Sequence, residues 1–218
     1  MAASRLMDQV ELAAAVRAER HALCDFLDGL DDAAWTTPSL CTAWTVREVV
    51  AHLTVTTRAT VGFVVKAAIT ARGSFDRLNL DVARDRARRY PAGELVAQLR
   101  ESAESSRRMP GSGPMDPLMD LVVHGQDIAR PLDRPHPVPT DVAVPVLTYV
   151  AGNRMLAGPR RLTGLQLVAT DAHWSAGEGA QVRGSAADLL LVAAGRPAGL
   201  AGLTGPGVDR LTERLGVP

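Results

Sequence analysis

The chain has 218 residues with 24 basic and 24 acidic side chains, and 46% of its residues are hydrophobic while only 4% are aromatic. This length allows a helical bundle and a small second domain, and an apolar content dominated by Ala, Val and Leu is typical of packed helices. Because the charges balance, the chain lacks the excess of basic residues that is typical of nucleic-acid-binding proteins. No apolar stretch approaches the ~18–20 residues of a membrane span, and the first 20 residues do not resemble a signal peptide.

The two cysteines, Cys24 and Cys41, are too few for a disulfide framework and lack CxxC spacing. We therefore expect a globular protein of the reducing cytoplasm. Cys24 fits a helix core and Cys41 a loop, and neither has a histidine close in sequence that could activate it. Both are interpreted as structural. The sequence shows no heptad seam that would indicate a partner helix, so we expect a monomer.

The first two helices are predicted from apolar spacing and from a start signal. Apolar residues recur at helical intervals from Val10 to Leu30. The second helix begins at Thr45, because Thr45 and Glu48 have the spacing of a capping box. It is expected to run to about Ala71, where glycine and serine follow.

Two more helices are predicted before a proline-rich linker. One covers residues 94–108, and the basic segment 84–89 before it is interpreted as a solvated helix face. The other covers 118–130, with Asp116 as its cap and Pro117 at its first position.

Four prolines within ten residues, at 131, 135, 137 and 139, cannot continue a helix and indicate a linker. We place the domain boundary there, giving a helical bundle over residues 1–134 and a small α+β domain over 135–218. The elements expected in the second domain are a helix at 142–156, strands at 165–170 and 181–183 joined by a glycine-rich turn at 177–179, and helices from Ser185 and Gly207.

Candidate metal ligands lie on two of the predicted helices. His52 lies beside the apolar stripe of the second helix. On the fourth, Asp120 and His124 are four residues apart and Asp127 is three further, so the three project from one stripe. A carboxylate and an imidazole at this spacing can chelate a divalent ion with a third ligand from a neighbouring helix. Periodicity alone favours the alternative, a solvated polar face. No role is assigned to the remaining histidines, His21, His136 and His173.

Two segments add a family resemblance. Residues 41–53, with the sequence CTAWTVREVVAHL, resemble the motif that opens helix two in mycothiol-dependent maleylpyruvate isomerase and DinB-like proteins and ends in a metal-binding histidine. Residues 121–130, LVVHGQDIAR, resemble a later helix of that family, in which an acidic residue lies four positions before a ligand histidine. Residues 164–171, 174–175, 182–184 and 189–197 are similar to parts of the family's C-terminal α/β domain.

The resemblance implies an α+β, mainly α fold: a DinB-like four-helix bundle followed by the small C-terminal domain. It also implies a divalent metal, commonly zinc, held by His52, His124 and an acidic residue. The family has Glu where this chain has Asp120, which is one methylene shorter. Asp120 could therefore bind directly, bind through water, or leave the role to Asp127, which could otherwise orient an imidazole.

The family further implies an enzyme that uses mycothiol as its thiol cofactor, with the metal lowering the pKa of the thiol. An isomerase adds and releases the thiol, whereas an S-transferase keeps the adduct. Arg183 or Arg196 could meet a substrate carboxylate, although a surface arginine is the plainer interpretation. Two other functions stay open: a metal-dependent hydrolase of a thiol conjugate, and a non-catalytic protein that binds a metal or a small molecule.

Overall fold

The computed structural model describes residues 7–62 and 75–217, with side chains of the second range from residue 77 onward. Its described residues form two compact units: Gln9–His136, and a second one that comprises residues 137–217 together with Met7 and Asp8. Helices predominate, with one three-stranded sheet, so the expected α+β, mainly α class is confirmed. The domain assignment 1–134 and 135–218 stays a prediction. In the described ranges, no helix has both the length and the apolar character needed to cross a membrane.

Helices build the described part of the first unit. They are α1 (Gln9–Asp28), α2 (Val46–Leu53), α3 (Phe75–Arg89), α4 (Ala92–Glu101) and α5 (Asp116–Ala129), with 3-10 turns at Ala34–Thr36 and Ser102–Glu104. Helix α1 packs on α4 and α5, while α2 packs on α3, α4 and α5. Their shared core includes Leu23, Leu27, Val49, Val50, Leu95, Leu99, Leu121 and Ile128. The four-helix bundle remains a prediction, because the chain between α2 and α3 passes through residues 63–74, outside the described part.

The start of α2 agrees with the sequence. The Thr45 hydroxyl accepts from the Glu48 amide at 3.4 Å, and a Glu48 carboxylate oxygen accepts from the Thr45 amide at 2.7 Å. This reciprocal pair satisfies two backbone donors that the first turn would otherwise leave open. The predicted capping box is therefore confirmed.

The end of α2 differs from the prediction, because the helix stops at Leu53 rather than continuing as one helix toward Ala71. A run of threonines follows, and the hydroxyls of Thr54 and Thr56 donate to the carbonyls of Ala51 and Leu53. Threonine hydroxyls that bond to nearby carbonyls compete with helical hydrogen bonding, so the chain continues through turns. Residues 63–71 of the predicted helix lie outside the described residues.

Two further helix ends were predicted incorrectly. Helix α4 ends at Glu101 rather than near residue 108. Beyond this end, the buried Arg20 guanidinium donates hydrogen bonds to the carbonyl oxygens of Ser102 and Ser105, at 2.7 and 3.0 Å. Arg20 thus satisfies acceptors that a continued helix would have used. Asp116 does not cap α5 but lies inside it, and its carboxylate accepts from the Gly113 amide at 2.7 Å.

The second unit packs helices against a small mixed sheet. The helices are α6 (Thr140–Gly152), α7 (Gly158–Leu162), α8 (Ala186–Ala193) and α9 (Val208–Leu215), and the strands are β1 (Leu165–Ala169), β2 (Ser175–Gly177) and β3 (Ala180–Gly184). The strand order is β2-β1-β3, with β2 antiparallel and β3 parallel to β1. Helix α8 is apolar on nearly every side and packs on α6, which makes it the centre of this core. Strand β2 and helix α7 were not expected from the sequence.

Candidate metal centre

Three of the predicted ligands meet where α2 packs on α5. His52 lies in the last turn of α2, and Asp120 and His124 lie one turn apart on α5. One ligand atom from each of these three side chains lies within 4.8 Å of the other two. All three side chains are partly buried. The chain therefore brings two imidazoles and a carboxylate to one place from segments about 70 residues apart in sequence.

The fourth predicted residue, Asp127, lies on the other side of the His124 ring. Its Oδ2 is 2.9 Å from His124 Nδ1, and its side chain is fully buried. When the imidazole is neutral, the Nδ1 proton bonded to this carboxylate leaves Nε2 with the lone pair. Asp127 is thus placed to fix the orientation and tautomer of His124. The solvated polar face that periodicity favoured is wrong here, since Asp127 is 0% exposed and the His124 side chain 12%.

Sequence reasoning missed Cys41. Its Sγ donates to Asp127 Oδ2 at 3.0 Å and lies 3.6 Å from His124 Nδ1. Cys41, His124 and Asp127 form a second group whose potential ligand atoms lie close together. The structural role expected for Cys41 rested on the lack of a nearby histidine in sequence, but His124 is 83 residues away and becomes a spatial neighbour. The available signal was the position of Cys41 at the start of the 41–53 motif.

Trp44 borders both imidazoles. The centre of its ring lies 5.0 Å from that of His52 and 6.1 Å from that of His124, and the two imidazole centres are 5.2 Å apart. Trp44 comes immediately before the capping residue Thr45, so the capping box that starts α2 also fixes where this indole leaves the loop. Local helix chemistry thereby positions an apolar side of the site.

The two histidines have opposite proton affinities. Burial, reinforced by the charge of His124, lowers the pKa of His52 to about 3. Burial also acts to lower the pKa of His124, but its hydrogen bonds to Asp127 and Cys41 outweigh that effect and raise the pKa to about 10. His52 is therefore neutral near pH 7, as a metal ligand must be, whereas His124 would have to release a proton to bind a cation.

The donor set fits a divalent cation such as zinc. Two imidazoles and one carboxylate form a common protein ligand set for zinc in catalytic sites, where a further position is left for water or substrate. The orientation of His124 by a buried carboxylate is the usual arrangement behind a metal-binding histidine. The residues present are thus chemically suited to the metal that the family resemblance implies.

The predicted arginines lie in the second unit. Arg183 is exposed on β3, where its backbone pairs with Thr204. Arg196 follows α8 and donates from Nη1 to the Ala194 carbonyl at 2.8 Å. The expectation that either arginine meets a substrate carboxylate stays a prediction.

Comparison with known proteins agrees with this architecture. Residues 16–117 match the family model of the mycothiol maleylpyruvate isomerase N-terminal domain. A crystal structure of the mycothiol-dependent maleylpyruvate isomerase is 18% identical, with a TM-score of 0.55 over 92% of this chain and 93% of that chain. A histidine-to-alanine mutant of that enzyme is 17% identical, with the same TM-score and coverage. No curated protein matches this chain significantly. At these identities the solved structures establish the fold.

Proposed function

We propose that this chain, whose residues 16–117 match the family model of the mycothiol maleylpyruvate isomerase N-terminal domain, is a metal-dependent enzyme that uses mycothiol. The reaction is an isomerisation or an S-transfer on a small molecule. The observation that carries this proposal is the convergence of His52, Asp120 and His124 within 4.8 Å. A protein that handles a low-molecular-weight thiol also fits a reducing cytoplasm, where we place it.

His52, Asp120 and His124 would hold the cation, with zinc as the proposed metal. When bound, the cation supplies positive charge that keeps a coordinated thiol in its nucleophilic thiolate form near neutral pH. His52 contributes a neutral imidazole without first losing a proton, because burial keeps its pKa low. Asp120 supplies the negative charge among the three ligands.

Asp127 and Cys41 act behind the ligands. The Asp127 carboxylate holds the Nδ1 proton of His124 and so directs Nε2 away from itself, toward the cation position. Cys41 donates to the same carboxylate oxygen and helps to fix it. Trp44 covers one side of both imidazoles and limits the access of water there. In the second unit, Arg183 or Arg196 is proposed to pair with a substrate carboxylate.

Metal analysis of untagged, chelator-free protein tests the centre of this proposal. Mass spectrometry of the wild type should report about one zinc or other divalent ion per chain, and His124→Ala should lose it. His21→Ala is the matched control, because His21 is an exposed histidine of the same unit. A wild type that binds no metal after incubation with zinc would refute the metal centre.

Mycothiol use requires a separate measurement. The zinc-loaded wild type should bind mycothiol in a calorimetric titration, and the His124→Ala variant should not. Turnover of a small unsaturated acid that needs added mycothiol would support the enzyme. If the wild type holds zinc but neither binds nor uses mycothiol, the thiol part of the proposal is wrong while the metal centre stands.

A further inference from the structure

The first unit contains a cleft that is lined by none of the candidate metal ligands. The cleft has a volume of about 580 Å³, and its wall includes Trp35, Arg47, Glu48, Arg84, Ala87 and Arg88. These residues come from the Ala34–Thr36 turn, the start of α2 and the last turns of α3. We propose that this cleft binds an organic anion with a flat apolar body. The inference does not depend on the proposed metal centre.

The charge of the wall is positive. Glu48 is the one acidic residue among those that line the cleft. Its carboxylate already accepts a hydrogen bond from the Thr45 amide and forms an ion pair with Arg84 Nε at 3.3 Å. Arg84 also donates to the Ala43 carbonyl at 3.0 Å. Arg84 and Glu48 therefore neutralise each other. The charges of Arg47 and Arg88 remain in excess and favour an anion.

These two arginines have hydrogen-bonding capacity left. Arg47 Nη2 donates to the Tyr90 carbonyl at 2.7 Å, but its Nε is buried and finds no acceptor among the described residues. A buried donor without a partner costs free energy that an acceptor would recover. Arg88 is exposed and, within the described ranges, forms no ion pair. Guanidinium groups recognise carboxylates and phosphates through paired donors, which makes these two anion classes the candidate head groups.

The apolar part of the wall defines the rest of the ligand. Trp35 and Ala87 border the cleft and are only 8% and 7% exposed, so both are firmly packed. Guanidinium groups, such as those of Arg47 and Arg88 on the same wall, stack on flat groups. A volume of about 580 Å³ lies within the range of roughly 300–1,000 Å³ that is usual for small-molecule sites. Together these features favour a ring or another planar body carrying one anionic group.

Arg89 shows what a solvated arginine of the same helix looks like. It pairs with Asp85 one turn away at 2.9 Å, its side chain is 63% exposed, and it does not line the cleft. The sequence interpretation of segment 84–89 as a solvated face therefore describes Arg89 and the exposed Arg88, but not Arg84, which pairs with Glu48. Arg89 provides a matched control for charge, helix and exposure.

Titrations with benzoate, phenyl phosphate and uncharged benzyl alcohol test the proposal. At least one anion should shift the Trp35 indole signal in a ¹H–¹⁵N spectrum, and the alcohol should bind more weakly. Arg88→Gln should lower the affinity for the anion up to about fivefold, as expected for the loss of one exposed ion pair, while Arg89→Gln should leave the affinity unchanged. The preferred anion identifies the head group as carboxylate or phosphate.

Three results would overturn the proposal. The first is the absence of saturable binding of either anion up to ~10 mM, since weaker binding would not indicate a built site. The second is equal weakening in Arg88→Gln and Arg89→Gln, which would indicate general surface charge. The third is wild-type affinity in Arg88→Gln. Binding should persist in His124→Ala, which separates failure of this site from failure of the metal centre.

Discussion

Asp127→Asn is the most informative substitution at the metal centre. The carboxylate is 0% exposed and accepts from Cys41 Sγ at 3.0 Å and from His124 Nδ1 at 2.9 Å. Asparagine keeps the shape of the side chain but removes its charge. Its amide oxygen can still accept a hydrogen bond from His124 Nδ1, but without the negative charge His124 Nε2 becomes a weaker electron-pair donor to the metal. Loss of such an outer partner typically weakens metal binding by about 10–100-fold, or about 1.4–2.8 kcal/mol.

The assay is competition for zinc with a chromophoric chelator, combined with a thermal melt that checks folding. Asp116→Asn is the control, because Asp116 lies in the first turn of the same helix, where its carboxylate accepts from the Gly113 amide, and it belongs to neither group of candidate ligands. Asp120→Ala should lose more affinity than Asp127→Asn if Asp120 is the ligand. Wild-type zinc affinity in Asp127→Asn would refute the orienting role, and a greater loss at Asp127 than at Asp120 would make Asp127 the ligand.

Three further predictions concern stability. Thr45→Ala should lower the free energy of unfolding by about 1 kcal/mol in urea denaturation, because Thr45 caps α2. Thr42 is exposed, so Thr42→Ala should leave the free energy of unfolding unchanged. An unchanged free energy of unfolding in Thr45→Ala would contradict the cap. Burial raises the pKa of Cys24 from 9.0 to about 11, so the folded state holds this proton more tightly and stability should fall as pH rises through that window. Cys24→Ala should show a shallower fall, and parallel curves would contradict the assignment. Gly179→Ala should destabilise the second unit in a thermal melt, because φ is +122° and a Cβ would lie 2.2 Å from the Gly164 carbonyl oxygen; an unchanged melting temperature would contradict this.

Local patterns predicted the local features well. The spacing of Thr45 and Glu48 was sufficient to find the start of α2, because both groups of a capping box lie within one turn. The apolar period located α1. The end of α2 was missed because apolar spacing does not include the competition from the hydroxyls of Thr54 and Thr56.

The metal centre was only partly accessible from sequence. The i, i+4 spacing on one helix linked Asp120 to His124, but the connection to His52 depended on the family resemblance. Cys41 escaped because its partners are 83 and 86 residues away, and such a contact depends on how helices pack rather than on local spacing. The burial of Asp127 was missed for the same reason: the polar stripe of α5 faces α2 and the Cys41 loop instead of solvent.

The sheet of the second unit has a consequence for folding. Its parallel pair, β1 and β3, lies within the twenty residues 165–184, although parallel strands usually need a long crossover. After β1, the chain first forms the short strand β2 along one edge of β1 and then crosses to form β3 along the other edge. The entropy lost in closing a loop grows with its length, so this sheet closes at small entropic cost. Its pairing can therefore begin locally, before the distant helices α6 and α9 have docked.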